Sequence, residues 1–404
     1  MTEDTFPKLL LRNYGKWGDQ RIAMRKKTFG MWLEYTWKDY YEQVKYLSLA
    51  LVSLGFKRED KMSIIGDNAP EWFWAELAAQ AAGGQVVGVY PDSSPAEVKY
   101  IVGHSDSKVV VAEDQEQLDK LLEIKDELPL MKKVIYWDAK GLNNYDEPIL
   151  MSWKEAIELG KSYEQAHPAF FEQMVDQGKA DDLCLLFYTS GTSGLPKGVM
   201  ISNRNIMITT KRALQAEPYR ETDNEVSYVN PSWLTEQSFG VNGPLVAGNC
   251  VNFIEEPETA QSDIREIGPQ VVFYSSKLWE SLESRIEAAI NDANPFKRFI
   301  YYLILPIGYK KADLSLQKKK VPLFWRVLGK IGYWVMFRPL QDQLGVRNAR
   351  VGYTAGMILG PDIFRFFHAI GINLLAIYAS TEAGMISGHK TDDIKVESVG
   401  RPFD

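Results

Sequence analysis

The chain has 404 residues, more than one hydrophobic core usually holds, so two or three domains or subdomains are expected. With 45% hydrophobic and 25% charged residues and a formal net charge of −7, it is neither disordered nor collagen-like. Nucleic-acid binding over the whole surface is disfavoured. The two cysteines, Cys184 and Cys250, have no metal-binding spacing and are expected to be small core residues. The acidic N-terminus lacks a signal-peptide layout, which predicts a cytoplasmic protein.

Short apolar runs alternate along the chain with longer amphipathic stretches, the pattern of parallel sheets covered by helices. Strands are predicted at 61–65, 85–90, 108–112, 133–137 and 249–253. Helices are predicted at 70–82, with Asn68 as its cap, and at 94–104, after a Ser-Pro start signal. The expected fold class is α/β, with two doubly wound subdomains flanking a cleft and part of a small β-rich subdomain.

A polar, charge-rich stretch at 138–182 suggests a junction near residue 176. We therefore expect a first α/β subdomain over 1–175 and a second region over 176–376. Residues 377–404 would begin the β-rich subdomain. The subdomains are expected to interleave in the sequence.

A predicted strand at 183–188 runs directly into a loop rich in glycine and hydroxyl groups that ends in a lysine. Its candidate phosphate-binding residues are Thr189, Ser190, Gly191, Thr192, Ser193, Gly194 and Lys197. Glycines let backbone N–H groups turn toward an anion, hydroxyls donate, and lysine supplies a positive charge. The alternative is a flexible surface loop of small residues. Pro196 before the lysine and Gly198 after it exclude the usual P-loop pattern.

Segment 188–199 resembles the phosphate-loop signature of the adenylate-forming enzymes, which include acyl-CoA synthetases, peptide-synthetase adenylation domains and luciferases. Segments 354–362 and 377–382 are similar to two further motifs of that family, in the same order. Segment 269–280 and the long insert after it resemble the long-chain fatty acyl-CoA synthetase branch. The resemblance covers residues 5–404.

The resemblance implies that the phosphate loop holds the β- and γ-phosphates of ATP during attack by a fatty carboxylate, with Thr192 and Lys197 catalytic. It makes Glu382 a catalytic residue and the Mg²⁺ ligand; the alternative is an exposed carboxylate starting a helix. Further residues would contact adenine or phosphate, namely Thr354, Ala355, Gly356, Tyr378, Ala379, Ser380 and Thr381. The alternative for Tyr378 is a core aromatic at a strand end.

Segment 230–237 stands where the family has P-x-x-H-x-x-E, but Leu234 replaces the histidine and Gln237 the glutamate. We assign Trp233 and Gln237 to acyl binding; Trp233 could equally be a buried structural tryptophan. The four histidines are scattered without ligand spacing, so none is assigned to a metal or to general-base work.

Family members continue past a Gly-Arg-Pro segment like 400–402 to a T-G-D motif and a small domain with a catalytic lysine. By that comparison we expect this chain to lack the ribose-holding aspartate, the lysine and the lid. It would then be inactive or weakly active alone.

The insert at 296–344 is basic and aromatic. Between Lys297 and Arg338 ten residues are basic, namely Lys297, Arg298, Lys310, Lys311, Lys318, Lys319, Lys320, Arg326, Lys330 and Arg338, against the single acid Asp313. Aromatic side chains mixed with basic ones suit an anionic membrane surface. The candidate contact residues are Lys318, Lys319, Lys320, Trp325 and Trp334. The alternative is an ordinary amphipathic helical pair; no fold or motif supports nucleic-acid binding.

The resemblance therefore predicts a long-chain fatty acid–CoA ligase that uses ATP, Mg²⁺ and CoA and forms acyl-CoA through an acyl-adenylate. Another adenylate-forming ligase, acting on a medium-chain or aryl acid or forming only acyl-AMP, is the close alternative. A non-catalytic, membrane-surface acyl-binding module is the alternative from another class. The expected location is cytoplasmic, with peripheral contact to a membrane.

Overall fold

The computed structural model describes residues 2–189, 194–216 and 218–403, and the chain divides into two compact units. The first unit comprises Met1–Lys26, Trp32–Thr210 and Val229–Gly248, and the second comprises Lys27–Met31, Lys211–Tyr228 and Asn249–Asp404. Each unit is thus assembled from several stretches of sequence. These divisions do not follow the boundaries near 175 and 376 proposed from the sequence, because the strand at 183–189 pairs within the sheet of the first unit.

The elements up to residue 248 alternate between strands and helices. The strands up to this point are β1 (Ile22–Thr28), β2 (Met31–Thr36), β3 (Lys61–Ile65), β4 (Gln85–Val89), β5 (Ser107–Ala112), β6 (Lys133–Tyr136), β7 (Leu150–Ser152), β8 (Leu183–Thr189), β9 (Lys197–Ser202) and β10 (Asn224–Ser227). The helices are α1 (Phe6–Trp17), α2 (Trp37–Ser53), α3 (Pro70–Ala81), α4 (Pro95–His104), α5 (Gln115–Ile124), α6 (Trp153–Ala166), α7 (Phe170–Gln177), α8 (Asn203–Ala216), α9 (Leu234–Glu236) and α10 (Asn242–Ala247). A π-helical turn, Gln237–Val241, joins α9 to α10.

The same alternation continues after residue 248. The strands there are β11 (Cys250–Phe253), β12 (Val271–Ser275), β13 (Val351–Ala355), β14 (Leu374–Ser380), β15 (Gly384–Gly388) and β16 (Arg401–Pro402). The helices are α11 (Ala260–Ile267), α12 (Ser276–Asn291), α13 (Pro295–Leu316), α14 (Leu323–Gly332), α15 (Arg338–Gln343) and α16 (Pro361–Ala369). A second π-helical turn, Tyr333–Phe337, joins α14 to α15.

The sheet of the first unit has the strand order β7-β6-β5-β3-β4-β8-β9. The strands are parallel except β9, which runs antiparallel to β8. Valine-rich strands such as β4 and β5 are almost completely buried, as expected for a parallel sheet with both faces covered. The parallel strands bring their carboxyl ends to one edge of the sheet, and β8 ends there at Thr189.

The predicted helices of the first unit are confirmed, but one predicted cap is wrong. Ser94 caps α4 in a reciprocal capping box with Glu97, so the Ser-Pro signal is confirmed. Helix α3 begins with Pro70 after Ala69, whose side chain cannot cap. Asn68 instead donates from Nδ2 to the carbonyl of Val229 at 2.8 Å. Proline at the first helical position compensates because it has no N–H that needs a partner.

The strands that lie wholly within the second unit are ordered β16-β15-β14-β13-β12-β10-β11 in their sheet. Strands β11, β10, β12, β13 and β14 are mutually parallel, whereas β15 and β16 are antiparallel to their neighbours. Trp279 and Phe367, both 0% exposed, pack edge to face in the core beside this sheet. Two sheets rich in parallel strands and flanked by helices confirm the α/β fold class.

Both cysteines are buried, which confirms their assignment to the core. Every helix within residues 2–189, 194–216 and 218–403 is too short or too polar to span a lipid bilayer. The same residues contain no group of three or more His, Cys, Asp or Glu side chains that could hold a metal ion.

Candidate functional site

The glycine- and hydroxyl-rich loop connects the antiparallel strands β8 and β9, which we call the β8–β9 hairpin. In this hairpin Thr189 pairs with Lys197. Gly194 has φ +118° and nothing near the position of a Cβ, so the backbone there uses the freedom of glycine. The Lys197 side chain is exposed. The predicted residues Ser190, Gly191, Thr192 and Ser193 lie outside the described residues.

An aromatic cluster from α4 and β8 contacts the loop end of this hairpin and was not predicted from the sequence. Tyr100 donates its hydroxyl hydrogen to the carbonyl of Pro196 at 2.9 Å, and His104 Nδ1 shares a 2.7 Å hydrogen bond with the Tyr188 hydroxyl. The Tyr100 and His104 rings stack with centroids 5.2 Å apart. Burial raises the pKa of Tyr188 to about 12, so its hydroxyl keeps its proton at neutral pH. The available signal was the i, i+4 spacing of Tyr100 and His104 on a predicted helix.

The residues assigned to acyl binding lie in the first unit in contrasting environments. Trp233 is 46% exposed, which excludes a buried structural tryptophan. Gln237 is 0% exposed, and its Nε2 donates to Glu76 at 2.7 Å and to the carbonyl of Pro231 at 2.9 Å. Its Oε1 has no hydrogen-bond partner among the residues that the structure describes. Of the amide, only this oxygen is left for further hydrogen bonding.

In the second unit, the side chains at the end of β13 are buried, so that mainly backbone reaches the edge of the sheet. Thr354 is buried, with its hydroxyl 3.1 Å from that of Ser276. Ala355 is also buried and pairs with Ser275 at the end of β12. Gly356 is exposed at φ +91°, and a Cβ there would meet nothing within 4 Å. The open space beside Gly356 fits the predicted role of this backbone in bordering a flat base.

The neighbouring strand β14 ends in the second predicted motif. Tyr378 is 50% exposed, which excludes a core aromatic, and a β-bulge follows it before Ala379. Ala379, Ser380 and Thr381 are half-buried. Glu382 lies exposed in the turn between β14 and β15 rather than at a helix start. Because β13 and β14 are parallel, the Gly356 and Tyr378 segments leave the same edge of the sheet.

The donor chemistry at this edge fits Mg²⁺. A magnesium ion in proteins keeps several water molecules and is held by one or two carboxylates together with substrate phosphates. A single exposed carboxylate such as Glu382 meets that requirement, with the Thr381 hydroxyl beside it in sequence.

The basic insert forms α13, α14, a π-helical turn and α15, and it only partly matches the predicted membrane contacts. Lys318, Lys319 and Lys320 are all exposed, and Lys318 is also paired with Asp393 at 2.8 Å. Trp334 is 63% exposed with the Arg338 guanidinium over its ring, but Trp325 is half-buried. The sequence did not show the exposed apolar residues Phe296, Phe299, Tyr302, Leu303, Leu323, Phe324, Val327, Ile331 and Val335 as one set.

Two long-chain-fatty-acid–CoA ligases are similar in sequence to most of this chain. The long-chain-fatty-acid–CoA ligase ACSBG2 of Xenopus laevis is 28% identical over 413 residues, covering 98% of this chain and 54% of its own length. The long-chain-fatty-acid–CoA ligase heimdall of Drosophila melanogaster is 31% identical over 360 residues, covering 87% of this chain and 52% of its own. The chain thus spans about half the length of these curated relatives.

Solved structures with the same fold include an anthranilate CoA ligase, AuaEII, in complex with anthranoyl-AMP. It has a TM-score of 0.71 at 17% identity and covers 99% of this chain and 64% of its own. The acetoacetyl-CoA synthetase from Streptomyces lividans has a TM-score of 0.71 at 18% identity, with coverage of 99% and 55%. The sequence model of the family described as AMP-binding enzyme matches residues 12–404. Since that match extends over nearly the whole chain and includes every motif placed above, the chain belongs to the AMP-binding enzyme family.

Proposed function

We propose that this chain takes part in the AMP-forming activation of a long-chain fatty acid. The acid's carboxylate would attack the α-phosphorus of ATP, giving an acyl-adenylate and pyrophosphate, and CoA would then displace AMP to give acyl-CoA. The observation that carries the proposal is the β8–β9 hairpin, which presents Lys197 where a strand of a parallel sheet ends. Ligands of open α/β sheets bind outside such strand ends.

Lys197 and the hydroxyl-rich loop would bind the β- and γ-phosphates. An exposed ammonium group is mobile and can follow the pyrophosphate as its charge changes, which lowers the barrier by neutralising charge rather than by covalent chemistry. Thr189 would donate from the adjoining end of β8.

The edge of the second unit's sheet would bind the adenosine part and the metal ion. The backbone at 354–356 would border the adenine and the half-exposed Tyr378 ring would stack on it. Glu382 would hold Mg²⁺, with Thr381 near the phosphates; the ion supplies charge neutralisation at the phosphate oxygens. A fatty carboxylate is ionised at neutral pH, so the attack needs no enzyme base, which is consistent with Leu234 in place of a histidine.

The phosphate assignment is tested by binding of ATP and AMP to the chain. Calorimetry with Mg²⁺ should show tighter binding of ATP than of AMP. Lys197→Ala should weaken ATP binding about tenfold to a hundredfold, since it removes a charge-assisted contact, and should leave AMP binding nearly unchanged. Lys154→Ala, at an exposed lysine of the same unit, is the control. Equal ATP affinity in wild type and Lys197→Ala would refute the assignment.

A second function is favoured by the exposed side chains of the insert: peripheral binding to an anionic membrane. Phe296, Phe299 and Leu303 repeat at i, i+3 and i+7 on α13. Four exposed apolar residues on or after α14 also repeat at helical spacing, namely Phe324, Val327, Ile331 and Trp334. Such a stripe exposes more apolar surface than single scattered residues do and marks an interaction site. We call these two stripes the apolar helix face.

The charge of the surrounding residues favours an anionic bilayer as the occupant of this face. Exposed basic residues lie on the same two helices and on the segment between them, namely Lys310, Lys311, Lys319, Lys320, Arg326 and Lys330. Each basic residue near an anionic membrane contributes about 1 kcal/mol, so four in contact would give about 4 kcal/mol. Asp313, the one acid between Lys297 and Arg338, is already neutralised by two hydrogen bonds from Arg365 at 2.6 and 2.7 Å.

Vesicle co-sedimentation tests this second function. The chain should bind vesicles containing phosphatidylserine but not pure phosphatidylcholine, and salt should weaken the binding because the Debye length is about 8 Å at physiological ionic strength. Lys319→Gln with Lys320→Gln should reduce the binding, and Phe324→Ser with Trp334→Ser should remove the salt-resistant part. Lys57→Gln with Lys154→Gln, on the first unit, is the control. Salt-insensitive binding to both vesicle types, or no binding, would refute the membrane assignment.

A further inference from the structure

We infer that Tyr100, His104 and Tyr188 are positioning residues that hold Lys197 in place for the phosphates of ATP. The inference rests on the proposed role of Lys197. It adds Tyr100 and His104, which lie outside the motif resemblance, and a role for Tyr188, the first residue of segment 188–199. The cluster is built from α4 and β8, and the β8–β9 hairpin it contacts carries the lysine on its second strand.

The cluster constrains the backbone on both sides of Lys197. On one side the Tyr100 hydroxyl binds the carbonyl of Pro196 at 2.9 Å. On the other side Gly198 pairs with Tyr188 across the hairpin, and a Cβ on Gly198 would lie 3.4 Å from Cζ of the Tyr188 ring. The lysine backbone is therefore fixed before and after its Cα, while the side chain stays exposed.

The three rings also fix one another. Tyr188 meets Tyr100 and His104 edge to face, with centroids 6.3 and 5.7 Å away, and Tyr100 and His104 stack. His104 completes the set through its 2.7 Å hydrogen bond to the Tyr188 hydroxyl. Helix α4, held by its capping box and by buried Val98 and Ile101, thus gives the hairpin a rigid support.

The physical reason for such a support is entropic. A hairpin that must order its lysine only when ATP arrives loses backbone freedom on binding, and that loss subtracts from the affinity. If the cluster orders the backbone beforehand, the full charge attraction appears in the binding of the triphosphate. Ligands that lack the β- and γ-phosphates should be indifferent to the cluster.

The test uses the whole chain with ATP and AMP as probes, and variants that each lose one hydroxyl. Tyr100→Phe and Tyr188→Phe keep the rings and should weaken ATP binding about fivefold, the effect of one neutral hydrogen bond, while AMP affinity stays the same. Tyr145→Phe is the matched control. Tyr145 packs against the same buried hydrophobic core as Tyr100 and Tyr188, but its hydroxyl forms hydrogen bonds with Gln115 and Asp119, away from the hairpin. It should leave both affinities unchanged.

Hydrogen exchange gives a readout that does not depend on ATP. Peptides covering 194–202 should exchange faster in Tyr100→Phe than in wild type, and no faster in Tyr145→Phe. If Lys197→Ala weakens ATP binding but Tyr100→Phe and Tyr188→Phe do not, the positioning role is wrong and the proposed function stands. If Lys197→Ala leaves ATP binding unchanged, the proposed function itself is refuted. Unchanged exchange at 194–202 in Tyr100→Phe overturns the positioning role in either case.

Discussion

The buried carboxyl group of Glu76 predicts a pH dependence of stability that can be worked out from the structure. Glu76 is 0% exposed on α3, and its oxygens accept hydrogen bonds from Gln80 at 3.0 Å and from Gln237 at 2.7 Å. Neither amide carries a charge, so burial dominates and raises the pKa of Glu76 to about 8. Because residue 237 is a glutamine rather than a glutamate, Glu76 does not face a second carboxylate there.

The sign of the effect follows from proton linkage. Between the pKa of the unfolded chain, about 4.5, and that of the folded chain, about 8, the folded state binds more protons. The stabilising contribution of Glu76 is therefore complete below about pH 4.5 and is lost as the pH rises to about 8. At about 1.4 kcal/mol per pH unit, the loss between pH 5.5 and 8.5 is about 3 kcal/mol.

The assay compares wild type with Glu76→Gln by urea denaturation at several pH values. Between pH 5.5 and 8.5 the free energy of unfolding of wild type should fall by about 3 kcal/mol relative to that of Glu76→Gln, since glutamine does not titrate. Taking the difference cancels the other titrating groups. Glu123→Gln, at an exposed position of the same unit, should run parallel to wild type. A Glu76→Gln difference that stays constant within about 0.5 kcal/mol would refute the buried, protonated carboxyl group.

Two further predictions concern the ligands of the proposed function. Glu382→Gln keeps the size of the side chain but removes the charge that Mg²⁺ prefers, so ATP binding should require several-fold more Mg²⁺; a Mg²⁺ titration that matches wild type would exclude Glu382 as the ligand. Trp233→Ala should weaken binding of a long-chain acyl-sulfamoyl-adenosine, a stable analogue of an acyl-adenylate, more than that of its acetyl counterpart, because the exposed indole is assigned to the acyl chain; equal losses for both analogues in calorimetry would assign it elsewhere.

The sequence was sufficient for elements whose signals are local. The strand at 61–65 and the helix after Ser94 were predicted because a short apolar run ending in two isoleucines and a Ser-Pro start act within a few residues. The helix at 70–81 was predicted too, although its assumed cap, Asn68, binds a backbone carbonyl more than 150 residues away. Such a partner is set by the tertiary fold and leaves no mark in the local pattern.

The candidate site shows the same limit. Motif resemblance placed Lys197, Tyr378 and Glu382, and the structure adds their exposure. The motif resemblance could not predict that Gln237 is buried against Glu76, because that pair joins helices far apart in sequence. It also could not separate Lys319 and Lys320 from Lys318, whose ion pair with Asp393 depends on how the segment after β15 folds back.

The most direct test of the central claim, that this chain recognises a fatty acyl-adenylate, is calorimetric binding of acyl-sulfamoyl-adenosines with acyl chains from two to twenty carbons. Each buried methylene contributes about 0.8 kcal/mol, so affinity should rise steeply with chain length and be greatest for long chains. Adenosine sulfamate without an acyl group should bind much more weakly. Affinity that does not depend on the acyl chain, or that peaks at a short or aromatic acyl group, would contradict the assignment to long-chain fatty acids.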